Sequence, residues 1–176
     1  MVEASVVLVE RRSSPEQSSL QELRGLAEAA EYKVVGCLEQ VRREESSYQI
    51  GRGKAEELAK LVKEVQAERV IFENELKPVQ TYNLAKVVGV EVSDKLQLIL
   101  EVFTRHASTN EARLQIELAR LRYELARARE KVRLAKRGEQ PGFHGLGRYE
   151  VDVYYEAIKR RVSHIERELK RIRVDK

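Results

Sequence analysis

A single cysteine, Cys37, stands in a chain of 176 residues, so no internal disulfide is available, as suits a reducing compartment. Long apolar runs are also missing. The longest, within Leu96–Phe103, is interrupted by Gln97 and Glu101, so no membrane span is expected. Met1-Val2-Glu3-Ala4 places no basic residue ahead of its short apolar run, so no signal peptide is expected, and the chain reads as cytoplasmic. The three histidines, His106, His144 and His164, have no metal-ligand spacing with one another or with Cys37, so no metal site is expected. Cys37 itself falls in an apolar strand segment and reads as a core residue. Nowhere does Gly-x-x-x-x-Gly-Lys-Ser/Thr occur, which removes the backbone nest and hydroxyl that hold a nucleotide β-phosphate and magnesium. No catalytic residue is therefore assigned, and this chain is not expected to hydrolyse GTP.

Two heptad seams are present. Leu114, Leu118, Leu121, Leu125, Ala128, Val132 and Ala135 recur at alternating steps of four and three, as do Val151, Tyr155, Ile158, Val162, Ile165, Leu169 and Ile172. Such a pattern keeps one narrow apolar stripe on each helix and predicts a coiled coil. Each helix spans about 40 Å, which the intervening loop could barely cross even fully extended, so an antiparallel arm is expected. Its glycine-rich tip loop is placed at 138–148.

Charge is divided along the chain. The net charge is +4, but residues 109–176 hold 18 basic and 11 acidic side chains, a net of +7, while residues 1–108 carry −3. Arg127, Arg129, Lys131, Arg133, Lys136 and Arg137 face one acid, Glu130, so positive charge builds toward the tip. Rows at steps of seven (Arg113, Arg120, Arg127, and Arg122, Arg129, Lys136) repeat about every 10 Å, a layout suited to phosphates along folded RNA or DNA. Toward the base, intrahelical pairs such as Glu117 with Arg120 give a solvated flank instead. Phe143, His144, Arg148 and Tyr149 extend the candidate RNA-contacting set around the loop, the aromatics either stacking on bases or packing the loop itself.

The first half alternates strand and helix. Strands are expected at Ser5–Glu10, Lys33–Val41, Arg69–Phe72 and Val90–Val92. Helices are expected to open near Pro15, after Gly51-Arg52-Gly53-Lys54, at Pro78 and at Asp94. Ser108-Thr109-Asn110-Glu111 offers a capping box for the first long helix. The fold class is thus α/β: a small parallel sheet of about four main strands flanked by helices over residues 1–107, then the antiparallel two-helix arm over 108–176. Gly51, Arg52, Gly53 and Lys54 are a possible phosphate-binding turn, although the third glycine of known fingerprints is missing and a structural turn is the preferred reading.

Several segments together resemble one family. Tyr48-Gln49-Ile50-Gly51-Arg52-Gly53-Lys54-Ala55-Glu56-Glu57-Leu58 is similar to the glycine motif in the N-terminal domain of HflX-type GTPases of the Obg-HflX superfamily. Asn74-Glu75-Leu76-Lys77-Pro78-Val79-Gln80 with Asn83-Leu84 is similar to its segment after the third strand, and Leu98-Ile99-Leu100-Glu101-Val102-Phe103, then Arg105, Ala107, Thr109 and Leu114-Gln115-Ile116-Glu117-Leu118-Ala119, to its most characteristic stretch. The resemblance implies an α/β domain, a helical subdomain and then a Ras-like GTPase domain, which this chain lacks. It further implies binding to the large ribosomal subunit, the tip directed toward rRNA, with splitting or rescue of stalled ribosomes in some members. GTP and magnesium are expected on the absent GTPase domain, a further partner, and no cofactor on this chain. The Gly-Pro-Gly order of the family's loop is not kept in Pro141-Gly142-Phe143-His144-Gly145. The sequence breaking off after a heptad helix is expected to reflect truncation of a longer GTPase. The chain is expected to be a monomer. Alternatives are a stand-alone coiled-coil interaction or dimerisation module, and a small nucleotide-binding enzyme using Gly51–Lys54.

Overall fold

A computed structural model describes residues 3–136 and 148–175, with the backbone alone over 128–136 and 148–154. The chain divides into two compact units, Met1–Val102 and Phe103–Lys176. In the first, β1 (Ser5–Arg12), α1 (Leu20–Ala29), β2 (Lys33–Val41), α2 (Arg52–Val65), β3 (Arg69–Phe72), α3 (Pro78–Val88) and β4 (Glu91–Asp94) follow in order, and α4 (Lys95–His106) continues past the division. The sheet is parallel throughout, in the order β2-β1-β3-β4.

The apolar run of β1 explains its central place. Val6, Val7, Leu8 and Val9 are all fully buried, which requires cover on both faces of the sheet. Alternation then sorts the core. Val7, Val9, Val70 and Phe72 join Leu58, Val62 and Leu84 under α2 and α3. Val6, Leu8 and Ile71 join Leu23, Ala27 and Leu98 under α1 and α4. Each such side chain contributes about 1.5–3 kcal/mol by leaving water.

Buried carboxylates set two helix starts. The sequence suggests that a helix opens near Pro15, but α1 begins at Leu20. The reason is Glu10, only 3% exposed, whose Oε2 accepts the Ser19 N–H at 2.8 Å and the Ser18 hydroxyl at 3.3 Å. The carboxylate satisfies an orphan amide at the positive helix end, where an anion is stabilised. Asp94 acts similarly for α4, its Oδ1 accepting the Gln97 N–H at 3.3 Å while Oδ2 takes the Leu76 N–H at 3.0 Å. That draws β4 to Asp94, two residues past the expected end at Val92.

α3 ends on Gly89 at φ +76, a left-handed conformation that glycine adopts without a Cβ penalty. Gly89→Ala is expected to lower stability by about 1 kcal/mol through backbone strain alone, since no atom lies within 4 Å of the new methyl. A urea midpoint unchanged by this substitution would contradict that account.

In the second unit, α5 (Asn110–Lys136) and α6 (Arg148–Val174) pack through Leu114, Leu118 and Leu121 against Ile158, Val162, Ile165 and Leu169, with Leu125 and Ile172 at the margins. These are nine of the fourteen predicted seam positions. Tyr155 is half-buried; Ala128, Val132, Ala135 and Val151 lie beyond the described side chains. The helix cap is Thr109, whose Oγ1 accepts the Ala112 N–H at 3.0 Å, one residue later than the expected box on Ser108 and Glu111.

Direction follows from the flanks. Glu117, just before Leu118, holds Arg161, just before Val162; Arg122, just after Leu121, holds Glu166, just after Ile165. Leading flank thus meets leading flank and trailing meets trailing. Two facing seams do this only when their helices run in opposite directions.

Candidate nucleic-acid interface

The backbone of α5 carries Arg129, Lys131, Arg133 and Lys136 in its last turns, and α6 opens on Arg148 and Tyr149. Because the helices are antiparallel, these positions share one end of the layer. Arg148 belongs to α6, whereas the sequence reading places it in the tip loop. Arg137, Phe143 and His144 lie outside the described residues. Arg127 is half-buried with its Cζ 4.8 Å from the Tyr123 ring centroid, a cation–π contact.

Toward the base of α5 the charges are answered. The Arg161 guanidinium donates to both Glu117 oxygens, at 2.9 and 3.0 Å, and that bond holds the Glu117 carboxyl below the usual carboxylate range. Arg122 and Glu166 meet at 3.7 Å across the seam, and Arg120 and Glu124 meet at 3.7 Å along α5. Glu117 therefore bonds Arg161 of the facing helix, not Arg120 of its own turn as the spacing suggests. Its lowered pKa makes this pair a source of stability above the unfolded value of 4.5 that disappears as pH falls through the folded value. Glu117→Gln is expected to flatten the helical layer's loss of stability on acidification below about pH 5, followed by thermal melts at stepped pH.

The glycine turn is occupied by its own neighbours. Gly51, buried at the start of α2, donates its N–H to Gln40 Oε1 at 2.8 Å. A Cβ there would stand 3.0 Å from Arg42 Nη1 and 3.2 Å from Gln40 Nε2. Lys54 is paired with Glu57 at 3.1 Å, while Arg52 and Gly53 are exposed. The close approach of the polar side chains to Gly51 supplies a structural reason for glycine there.

Parallel sheets usually bind ligands beyond their carboxyl ends, where the strand order reverses. Here that point lies between β1 and β3, and the chain fills it. Asn74 closes it by accepting the Arg11 N–H at 2.8 Å and donating to the Arg11 carbonyl at 2.9 Å. Gln49, 1% exposed and at φ +66, accepts from Arg11 Nε at 2.5 Å and donates to the Glu75 carbonyl at 3.1 Å. Gln80 donates to the Glu45 carbonyl at 3.0 Å, and Asn83 to the Ser47 carbonyl at 3.0 Å. The polar residues of the two family-like segments thus lock the 42–50 loop over the switch point. Sequence reading missed this role because the partners lie 26 to 63 positions apart.

Cys37 is a correction: it is exposed, 3.5 Å from Arg24 Nη2, and lines a shallow depression with Gln17, Ser18, Leu20 and Gln21. β2 is an edge strand, so its side chains near the rim are incompletely covered. His164 pairs with Glu168 at 3.2 Å, one turn along α6. Among the described residues no cluster of His, Cys, Asp or Glu could hold a metal ion, and no helix is long and apolar enough to cross a membrane.

Comparison with known proteins follows the same division. Residues 4–104 match the family described as GTP-binding GTPase N-terminal, and residues 106–176 that described as GTP-binding GTPase Middle Region. The chain is 49% identical over 171 residues to a GTPase HflX of Thermofilum pendens, covering 96% of this chain and 40% of the relative. It is 49% identical over 168 residues to the GTPase HflX of Methanocaldococcus jannaschii, covering 96% and 42%. To the GTPase HflX of Escherichia coli it is 30% identical over 159 residues, covering 89% and 37%. A crystal structure of a GTP-binding protein from Sulfolobus solfataricus in complex with GDP superposes with a TM-score of 0.69 at 26% identity, over 97% of this chain and 46% of that one. The chain therefore spans about 40% of the length of the curated relatives it matches.

Proposed function

Since the chain belongs to the HflX family of GTP-binding proteins and corresponds to its N-terminal and middle regions, we propose that it is the part of such a protein that contacts the large ribosomal subunit through rRNA. The observation that carries this reading is the excess of basic over acidic residues in the sequence at the far end of α5. At the base, Arg120, Arg122 and Arg161 each have a carboxylate partner. Beyond Glu124, the sequence from Arg127 to Arg137 holds six basic residues and one acid, Glu130. A long, seam-stabilised two-helix arm holds that charge away from its own base, where it can reach phosphates.

The contacting set is Arg127, Arg129, Lys131, Arg133, Lys136 and Arg137, with Phe143, His144, Arg148 and Tyr149 around the tip. GTP hydrolysis belongs to a GTPase domain with its own GTP and magnesium, since the 176 residues contain no phosphate-binding loop of that type. That domain is a partner of the α/β unit, and the protein acts in the cytoplasm as a monomer. A dimerisation module is less well supported, because the seam residues already bury one another within one chain. A nucleotide-binding enzyme built on Gly51–Lys54 is disfavoured by the Gln40 bond to the Gly51 amide and by Glu57 on Lys54.

Co-sedimentation of the chain with purified large subunits over a salt series tests the proposal, beside a version ending at Ala107. The expected result is binding that needs residues 108–176 and weakens steeply with salt. Equal binding by the shortened version would place recognition in the α/β unit and overturn the role of the arm.

A further inference from the structure

The face of α6 turned away from the seam carries a second, separate block of positive charge. With Ile158, Val162, Ile165 and Leu169 buried, the positions opposite them are held by Arg160, Arg167, Lys170 and Arg171, all exposed. Acidic residues of the same stretch sit elsewhere. Glu166 lies beside the seam with Arg122, and Glu168 is taken by His164. No carboxylate lies within ion-pair distance of Arg160, Arg167, Lys170 or Arg171 among the described residues; the one polar contact of this group is Arg160 Nε donating to the Glu156 carbonyl at 3.4 Å.

At 1.5 Å per residue, Arg160 and Arg167 stand about 10 Å apart and the stripe from Arg160 to Arg171 is about 16 Å long. Four like charges on one exposed face repel one another and disfavour the isolated helix. A polyanion removes that cost. With phosphates every 3.4 Å along each strand of a duplex, the stripe covers about five of them. Three of the four are arginines, whose planar forks match phosphate oxygens in pairs. The face carries no exposed Phe, Tyr or Trp over these turns, and His164 is engaged with Glu168, so it suits a stacked duplex more than splayed bases.

We propose that Arg160, Arg167, Lys170 and Arg171 form a second nucleic-acid contact, a phosphodiester track for the backbone of double-helical RNA, distinct from the arm tip. It extends the reading of the arm as an RNA-contacting element and gives it two points of attachment. Two contacts on one helix pair fix orientation as well as position, which a single tip cannot do.

The test measures binding of the 176-residue chain to a short duplex RNA of arbitrary sequence, by fluorescence anisotropy across a KCl series. Replacing Arg160, Arg167, Lys170 and Arg171 together by Gln is expected to weaken binding about tenfold or more and to reduce the log–log salt slope by about three. A control of equal charge loss, Gln at exposed Lys33, Arg43, Lys60 and Lys63, is expected to stay within about twofold of the parent. A variant with Arg160→Lys, Arg167→Lys and Arg171→Lys keeps the charge and is expected to retain most of the affinity. Unchanged binding by the Gln variant overturns the proposal, as does an equal loss in the control or in the Lys variant. So does loss of binding to phosphatidylglycerol vesicles with duplex affinity intact, which would make the stripe a membrane contact. Large subunits are sedimented in parallel. If no version binds them while duplex binding still depends on the stripe, the ribosomal reading fails and the phosphate track stands.

Discussion

Replacing Arg129, Lys131, Arg133 and Lys136 together by Glu is expected to weaken binding to large ribosomal subunits by roughly two to three orders of magnitude and to lower its salt dependence. Each phosphate contact made by a basic side chain releases about 0.9 of a counterion, so losing four flattens the log–log salt slope by about three to four. Reversal adds repulsion to loss, and at cellular salt the repulsion acts within a Debye length of about 8 Å, the range of tip contacts. The fold is expected to persist, because the packed seam from Leu114 to Leu121 and from Ile158 to Leu169 lies nearer the base. Circular dichroism and the melting temperature therefore should match the parent. Subunit binding unchanged in slope and affinity would rule out the tip as the ribosomal contact.

The second large effect concerns stability. Arg69, 6% exposed at the start of β3, donates from Nε and Nη2 to Ser93 Oγ at 2.9 and 2.7 Å and pairs through Nη2 with Glu101 Oε1 at 2.7 Å. Its Nη1 donates to the Tyr32 hydroxyl, which in turn donates to Glu101 Oε2 at 2.6 Å. One guanidinium thus ties β3, β4, the entry to β2 and α4 together. Arg69→Met is expected to cost about 3 kcal/mol, because it leaves the Glu101 charge, Tyr32 and Ser93 without their shared donor. Glu101→Gln on top of Arg69→Met is expected to recover part of that loss, since the uncompensated charge goes with it. A urea midpoint displaced by less than about 1 kcal/mol would mean that the cluster behaves like a solvent-exposed pair.

The same cluster predicts an alkaline transition. Burial, then the bond to Glu101, pushes the Tyr32 hydroxyl up from 10.0 to about 12. A folded value above the unfolded one means that the proton stabilises the fold: the contribution is complete below pH 10 and is lost as pH rises toward 12. Tyr32→Phe should abolish that part of the alkaline destabilisation, read from melts between these limits.

The alternation of strand and helix, the apolar Val6–Val9 run and the described part of the two heptad seams were legible, because periodicity and β-branching act over a few residues at a time. The seam predicted at Leu114, Leu118 and Leu121 is the seam observed. Local spacing misassigned what depends on distant partners. Glu117 had two bases within reach, Arg120 on its own helix and Arg161 on the other, and the bidentate geometry of Arg161 decided between them. Pro15 and the preceding serines suggested an early helix, but Glu10 took the Ser18 hydroxyl and the Ser19 amide and set the start at Leu20. Cys37 looked like core until the sheet order placed β2 at the edge.

The sequence by itself determined the element types, the apolar faces, the division of charge and the family, since each is encoded in residues close along the chain. Only the tertiary structure decided what occupies the switch point of the sheet and which carboxylate Arg161 pairs with. Those outcomes depend on side chains tens of positions apart meeting within about 3 Å, and a one-dimensional pattern carries no record of such distances.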